Sequence, residues 1–321
     1  MSSPGSAPAA ASATLAIRAV GPAEAPAVLE IVRAAFAARP PVVPPADALG
    51  ETVESLAVAL RHGGLVASSD GRDVGALVLD PEGSTLWLRR VGVLPEVREH
   101  GVATALVNHA LAGAEGYDDV AVLAREELPG TVAFWREHGF AETGRHSPYV
   151  DLRRAAPAGF DTPDAESMRA LGASLASVLR AGDVVVLSGE LGAGKTTLTQ
   201  GLGAGLGVRG DVTSPTFVIA RVHPSLADGP ALVHVDAYRI GGVAELDDLD
   251  LDTSLDQAVT VVEWGEGVAE GLADDRLEVR IERAVADRAW RDGGRDAGLD
   301  PRRVVVRPVG RRWLEQPLGR P

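Results

Sequence analysis

Gly189-Glu190-Leu191-Gly192-Ala193-Gly194-Lys195-Thr196-Thr197 contains the only lysine of a chain with 31 Lys and Arg residues. The stretch matches G-x-x-x-x-G-K-[ST], a loop whose chemistry is phosphate binding. Successive backbone N–H groups wrap an anion at a helix N-terminus, where unpaired amides and the helix dipole favour negative charge. Gly192 and Gly194 permit the tight wrap because they carry no Cβ. Lys195 is suited to neutralise β- and γ-phosphate oxygens with a compact ammonium, for which a planar guanidinium is a poor substitute. Thr196 offers a hydroxyl to Mg²⁺. All positions from Gly189 to Thr197 are therefore candidate nucleotide contacts. A magnesium–nucleotide site also needs a carboxylate at the end of a nearby strand. Two apolar runs end in acids, Leu232-Val233-His234-Val235-Asp236 and Val259-Thr260-Val261-Val262-Glu263. Asp236 and Glu263 are thus the candidates, although a strand-end acid on its own is as often a helix cap or a solvated residue.

These groups require a strand–loop–helix to hold them. Val184 to Leu187 is a short apolar run of the kind found in central parallel strands. The loop follows it directly, and Leu198 to Leu206 then reads as a helix. Upstream, Thr162 is the expected N-cap of a helix with Pro163 at its first position and Met168, Leu171, Leu175 and Val178 on its buried stripe, ending at Gly182. Arg303 to Pro308 is expected as one last strand. From about Arg283 the chain is rich in Arg, Gly and Asp, and regular structure is expected to fade.

The first half alternates strands and helices. Strands are expected at 15–20, 65–68, 74–79, 86–94, 120–124 and near Val150. Val28, Ile31, Val32, Ala35 and Phe36 follow helical spacing, as do Val53, Leu56, Ala57 and Leu60. Further helices are expected at 101–114 and 131–138. The length of 321 residues suits two domains. The reading is residues 1–13 as a disordered tail, 14–153 as a first domain, 154–161 as a linker, 162–310 as a second domain and 311–321 as a tail. Both domains are expected to be α/β, the first a mixed sheet with helices and the second a nucleotide-binding sheet with flanking helices.

Composition narrows the chemistry. There are no cysteines, so disulfides, thiolate zinc sites and cysteine nucleophiles are excluded. The seven histidines show no metal-ligand spacing. A net charge of −14 argues against a chain that grips nucleic acid by itself. The N-terminus lacks the charged and apolar regions of a signal peptide, and no run reaches membrane-spanning length, so a cytoplasmic location is expected.

Four blocks in order resemble the TsaE family, the P-loop ATPase subunit of the bacterial machinery that forms N6-threonylcarbamoyladenosine in tRNA. They are Gly189–Thr197, then Thr213-Ser214-Pro215-Thr216-Phe217, then His234-Val235-Asp236-Ala237-Tyr238-Arg239, and Val262-Glu263-Trp264-Gly265-Glu266, where the family usually has proline at the position of Gly265. The resemblance spans about Asp161 to Pro308. It implies ATP and Mg²⁺ as cofactors. It makes Lys195, Asp236 and Thr216 catalytic, with Asp236 acting on water and Thr216 near the γ-phosphate in a switch-type loop. Glu263 becomes a magnesium-linked carboxylate, Thr196 a second magnesium ligand and Trp264 a neighbour of the nucleotide, although a Trp after a buried strand is equally often core. The implied partners are the threonylcarbamoyltransferase and its inactive paralogue (TsaD- and TsaB-like), with tRNA met only indirectly.

In the first half, Val97-Arg98-Glu99-His100-Gly101-Val102-Ala103-Thr104 matches R-x-x-G-x-[GA], and Phe134-Trp135-Arg136-Glu137-His138-Gly139-Phe140 follows. Together they resemble the GNAT family of N-acetyltransferases over about Thr14 to Arg154. The resemblance implies acetyl-CoA, with pyrophosphate on the amides of Gly101, Val102, Ala103 and Thr104, Arg98 beside them, and the pantetheine arm along Val91 and Val93. Trp135 stands where the family often has a tyrosine that protonates the leaving thiolate, and indole has no pKa for that task. Glu96, Glu99 and His100 are other candidate bases. The leading function is ATP hydrolysis in tRNA modification with an appended acetyl-CoA-binding domain. The rivals are an N-acetyltransferase with a regulatory P-loop domain, a non-catalytic nucleotide-binding scaffold and, more weakly, a P-loop kinase.

Overall fold

The computed structural model of the protein contains two seven-stranded mixed sheets, one after the other along the chain. It describes residues 15–215, 219–239, 256–283, 300–316 and 318. The N-terminal tail, Thr216, Phe217 and the Arg-rich stretch 284–299 lie outside the described residues.

The first sheet comprises β1 (Leu15–Val20), β2 (Gly64–Ser69), β3 (Arg72–Glu82), β4 (Thr85–Val93), β5 (Asp119–Arg125), β6 (Ala141–His146) and β7 (Tyr149–Ala155), in the order β1-β2-β3-β4-β5-β7-β6. Its helices are α1 (Ala25–Ala37), α2 (Val53–Ala59), α3 (Val102–Ala112) and α4 (Pro129–Glu137). The periodic positions of α1 face inward, with Val28, Ile31, Val32 and Ala35 buried. The single strand expected near Val150 is in fact the hairpin β6–β7. The pair β4–β5 is the parallel one, and it holds only from Thr85–Trp87 against Asp119–Ala121. Beyond that point β4 is bent away. The β3–β4 register slips between Ala76 and Val78, and Arg90 has a φ of +54°. Such an irregularity kinks a strand and increases its twist. The outer halves of β4 and β5 therefore diverge and leave an open cleft.

The second sheet comprises β8 (Ala158–Thr162), β9 (Val184–Ser188), β10 (Ala220–His223), β11 (Ala231–Asp236), β12 (Ala258–Glu263), β13 (Arg276–Arg283) and β14 (Arg302–Val309), in the order β10-β11-β12-β9-β13-β14-β8. Strands β11, β12, β9 and β13 run parallel. Helices α5 (Ala165–Ala176) and α6 (Lys195–Leu206) cover one face, and Val185 and Leu187 of β9 pack there with Leu198, Leu202 and Trp313. Val184 and Val186 pack on the other face with Val233, Val235 and Val262. Burial on both faces is the reason these strands read as continuous apolar runs. Strands β10 and β13 are absent from the sequence reading, even though Leu277, Val279 and Ile281 alternate inward along β13.

Three expectations need correction around the junction. The segment 154–161 is not an irregular linker, because it carries the end of β7 and most of β8, with Ala156-Pro157 between them. Pairing of β8 with β14 extends through Thr162, so the helix cap falls on Asp164 instead. The described part of the expected tail, residues 311–316 and 318, is not irregular throughout. Trp313, in the helical turn Arg312–Glu315, is fully buried in the second core. The two sheets also meet directly through a buried arginine. Arg154 donates through Nη1 to His138 O (2.7 Å) and through Nε to Pro308 O (3.3 Å), and burial lowers its pKa to about 10.

Asp164 accepts from the Ser167 amide (2.8 Å), and this bond holds its carboxyl below the ordinary aspartate value. A depressed carboxyl pKa contributes stability above the unfolded-state pKa and loses it as pH falls through the folded one. Asp164→Ala should therefore melt below the parent protein at neutral pH, with the gap closing in acid. Thermal melts of both proteins across the acid range check this.

Candidate functional site

The phosphate loop joins β9 to α6, so its helix N-terminus opens at the carboxyl ends of the parallel strands. In open α/β sheets ligands bind at that edge. Gly194 begins the helix at a φ of +109°. Gly189 has a φ of +144°, and a Cβ there would lie 2.5 Å from Ile281 O of the neighbouring β13. Gly189→Ala should accordingly displace the loop and weaken nucleotide affinity by more than about tenfold, since the strain falls on backbone that cannot yield cheaply. Titration calorimetry with MgADP reads it.

Parallel pairing delivers the acids. Asp236 is in register with Glu263, and Glu263 with Leu187, just ahead of the loop. Thr196 Oγ1 donates to the Glu263 carboxylate at 2.9 and 3.2 Å. His234 Nε2 lies 2.9 Å from Glu263 Oε1, with both side chains buried, while its Nδ1 has no partner among the described residues. Asp236 is 4% exposed and accepts from Ser214 Oγ (3.0 Å) and the Tyr238 amide (3.1 Å). The second and third sequence blocks thus touch.

Lys195 Nζ donates to Gly189 O (2.7 Å) and Glu190 O (3.1 Å) and sits 3.5 Å above the Trp264 ring. Burial pulls its pKa below the usual lysine value, partly offset by the charges of Glu263 and Asp236. Trp264 has a φ of +60°, an unusual conformation for a bulky residue. Its amide donates to Leu187 O (2.9 Å), and its ring also faces Tyr238. The turn places the indole over the lysine, while Trp264 also packs against the core cluster of Val233, Val235 and Val262. The oxygen donors Thr196 and Glu263 fit a hard cation such as Mg²⁺, which is held by few protein groups together with phosphates. Leu191 projects from the loop, 85% exposed. Of the candidate residues, the loop from Gly189 to Thr197, Asp236, Glu263 and Trp264 converge, and Thr216 lies outside the described residues. Ser214 and His234, members of the second and third sequence blocks with no role of their own assigned there, also reach this constellation, as does Arg302, which carries no sequence signal of a site.

The cleft between β4 and β5 measures about 750 Å³. Val91, Val93, Arg98 and Ala103 line it. Gly101 caps α3 at a φ of +73°, with Val102, Ala103 and Thr104 in the first turn. Arg98 is anchored to Ala35 O (3.0 Å) and Arg39 to Val91 O (2.8 Å). Burial, aided by Arg98, lowers the Arg39 pKa to about 10. Free strand edges, a helix N-terminus and two arginines fit an elongated ligand with a pyrophosphate. Trp135 is buried against Phe134 and Phe140 and forms part of the cleft wall. Glu96, Glu99 and His100 are not among the lining residues, while Glu127, His146 and Tyr149 are. Arg125 pairs with Glu127 (2.7 Å) and holds that carboxyl below its usual range.

Comparison with known proteins agrees with both halves. Residues 162–290 match the family model described as "Threonylcarbamoyl adenosine biosynthesis protein TsaE", and residues 61–142 match the acetyltransferase (GNAT) domain. The tRNA threonylcarbamoyladenosine biosynthesis protein TsaE of Streptomyces coelicolor is 65% identical over 147 residues, covering 46% of this chain and 93% of that protein. Its namesake in Bacillus subtilis is 37% identical over 154 residues, 47% of this chain and 86% of the relative. Among solved structures, Bacillus subtilis YdiB aligns at 32% identity with a TM-score of 0.38, over 50% of this chain and 93% of that one. The PaiA N-acetyltransferase of Thermoplasma acidophilum, solved with coenzyme A, aligns at 13% identity and a TM-score of 0.40, over 44% and 99%. With a relative so similar over nearly its whole length, the chain belongs, through its P-loop half, to the TsaE family of tRNA threonylcarbamoyladenosine biosynthesis proteins, and carries a GNAT-type domain ahead of it.

Proposed function

We propose that the protein hydrolyses ATP in support of tRNA threonylcarbamoyladenosine synthesis. The domain spanning 162–310 would do this work, with an acetyl-CoA-binding domain, 14–153, attached. The observation that carries the reading is the convergence of Lys195, Thr196, Glu263 and Asp236 at one strand edge. The amides of 189–197 hold the phosphates, and Lys195 leaves its carbonyl partners to balance the β- and γ-phosphate charge. Thr196 and Glu263 would hold Mg²⁺, which would supply positive charge to offset the negative charge developing on the phosphates. His234 fixes the Glu263 carboxylate from behind. Asp236, oriented by Ser214 and the Tyr238 amide, would align a water for attack on the γ-phosphorus.

The threonylcarbamoyltransferase and its inactive paralogue are the proposed partners, in the cytoplasm, with tRNA reached only through them. A net charge of −14 suits such a subunit, because it needs no basic groove of its own. Among the described residues no helix is long and apolar enough to cross a membrane. The test is ATP turnover by the purified chain, alone and with that pair from the same source. Weak basal turnover stimulated by the pair is expected. Absence of stimulation with nucleotide still bound overturns the assignment.

In the N-terminal domain the cleft is proposed to take acetyl-CoA, with the pantetheine arm on Val91 and Val93 and the pyrophosphate on Arg98 and the amides of 101–104. Ala103→Glu places a carboxylate in the first turn of α3, against the incoming phosphates. It should weaken coenzyme A binding by at least about tenfold, given the cost of a like charge at an anion site. MgADP affinity should stay unchanged. Calorimetry with each ligand distinguishes the two.

A further inference from the structure

Arg302 stands behind the phosphate loop, on β14, two strands away from β9. Its side chain is 8% exposed. Nε donates to Ala193 O (3.2 Å) and Nη2 reaches Gly192 O (3.4 Å). The remaining N–H groups go to the Asp300 carboxylate and to the carbonyls of Asp300 and Pro301. Thr162 donates to the carbonyl of Arg302 itself (3.4 Å), which ties its backbone to β8.

In a trans peptide the C=O of one residue and the N–H of the next point in opposite directions across one plane. A group that holds Gly192 O and Ala193 O from behind therefore fixes the N–H vectors of Ala193 and Gly194. The Ala193 N–H turns back to Glu190 O (3.1 Å) and closes the loop. The Gly194 N–H opens the helix that receives the anion. Arginine is suited to this task because its rigid fork meets two acceptors at once and it stays charged when buried. We propose that Arg302 is a positioning residue for nucleotide binding, gripping the Gly192 and Ala193 carbonyls so that the loop amides are preset for a diphosphate. The proposal rests on the nucleotide-site reading above.

The experiment measures MgADP affinity of the full chain by calorimetry for the parent, Arg302→Gln, Arg302→Lys and Lys195→Ala, with melting curves and steady-state ATP hydrolysis on each. Arg302→Gln should bind MgADP about 10- to 100-fold more weakly, the scale expected for lost charged hydrogen bonds. Its KM for ATP should rise more than its kcat falls. Arg302→Lys keeps the charge on a single donor nitrogen without the fork and should recover part of the loss. Binding by Arg302→Gln within twofold of the parent, while Lys195→Ala has lost binding, overturns the proposal and leaves the nucleotide reading intact. A fall in kcat with KM unchanged also overturns it. If Arg302→Gln does not fold, Arg302→Lys decides, and parental affinity in that variant overturns the proposal. A parent that does not bind MgADP removes both readings.

Discussion

Replacing Lys195 with alanine should lower ATP hydrolysis by about 10²- to 10³-fold, the scale on which loss of one preorganised charge stabiliser acts in a desolvated site. Lys195 is 5% exposed, and its ammonium is held by Gly189 O, Glu190 O and the Trp264 face. Each of those partners is weaker than a phosphate oxygen, so nucleotide can draw the lysine away without breaking an ion pair. Glu263 and Asp236 sustain its charge against burial, and the alanine variant leaves those two acids facing an incoming polyphosphate uncompensated. Lys195→Arg should rescue little, because a planar guanidinium does not fit a space bounded by two carbonyls and an indole. Single-turnover hydrolysis on parent, Ala and Arg variants measures the effect. Turnover near the parent rate in the alanine variant would mean the chemistry lies elsewhere. Indole fluorescence should change when nucleotide binds the parent, since the lysine then leaves the Trp264 ring.

The largest stability effect is expected at the ion pair between Arg312 and Asp183. Their Nη2–Oδ2 distance is 2.9 Å, and their side chains are 7% and 4% exposed. Arg312 also donates to Val178 O (2.7 Å) and stacks on Trp313, while its Nε and Nη1 have no partner among the described residues. Burial raises the Asp183 pKa and lowers that of Arg312, so desolvation outweighs what each partner returns. Arg312→Ala should cost about 3–5 kcal/mol, because it strands a buried carboxylate. The double variant Arg312→Met with Asp183→Leu should recover most of this by removing both charges. A carboxyl whose folded pKa is raised favours the folded state below the unfolded pKa and loses that advantage as pH rises through the folded value. The deficit of Arg312→Ala should therefore shrink in acid. Denaturant melts on all three proteins at neutral and acid pH check both statements. A single variant as stable as the parent would show that water reaches the pair.

Particular elements separate what contiguous sequence carries from what packing decides. The phosphate loop is legible because its conformation is spelled by adjacent residues: an apolar strand, glycines at the turns, then Lys-Thr opening a helix. Helix α1 is legible for a similar reason, since its burial repeats every turn. The cap of α5 is not. Thr162 and Asp164 are both good caps locally, and only the length of β8 against β14 moves the start to Asp164. Strand β13 carries an alternating pattern that is easily passed over between charged residues, yet it lies directly against β9 and supplies the Ile281 carbonyl that forbids a side chain at Gly189. The anchoring of Trp313 in the core also depends on contacts far away in sequence.

The same division holds at the sites. By itself the sequence determined the anion-binding chemistry, the two strand-end acids and the two loops that begin helices, because each is a local match between residue type and backbone need. Only tertiary structure decided that Glu263 meets Thr196 and His234, that Trp264 covers Lys195, that Arg302 backs the loop and that β4 and β5 part to open a cleft. Those outcomes follow from strand order, register and a bulge, which arise from the packing of distant segments and leave no local pattern at the residues they bring together.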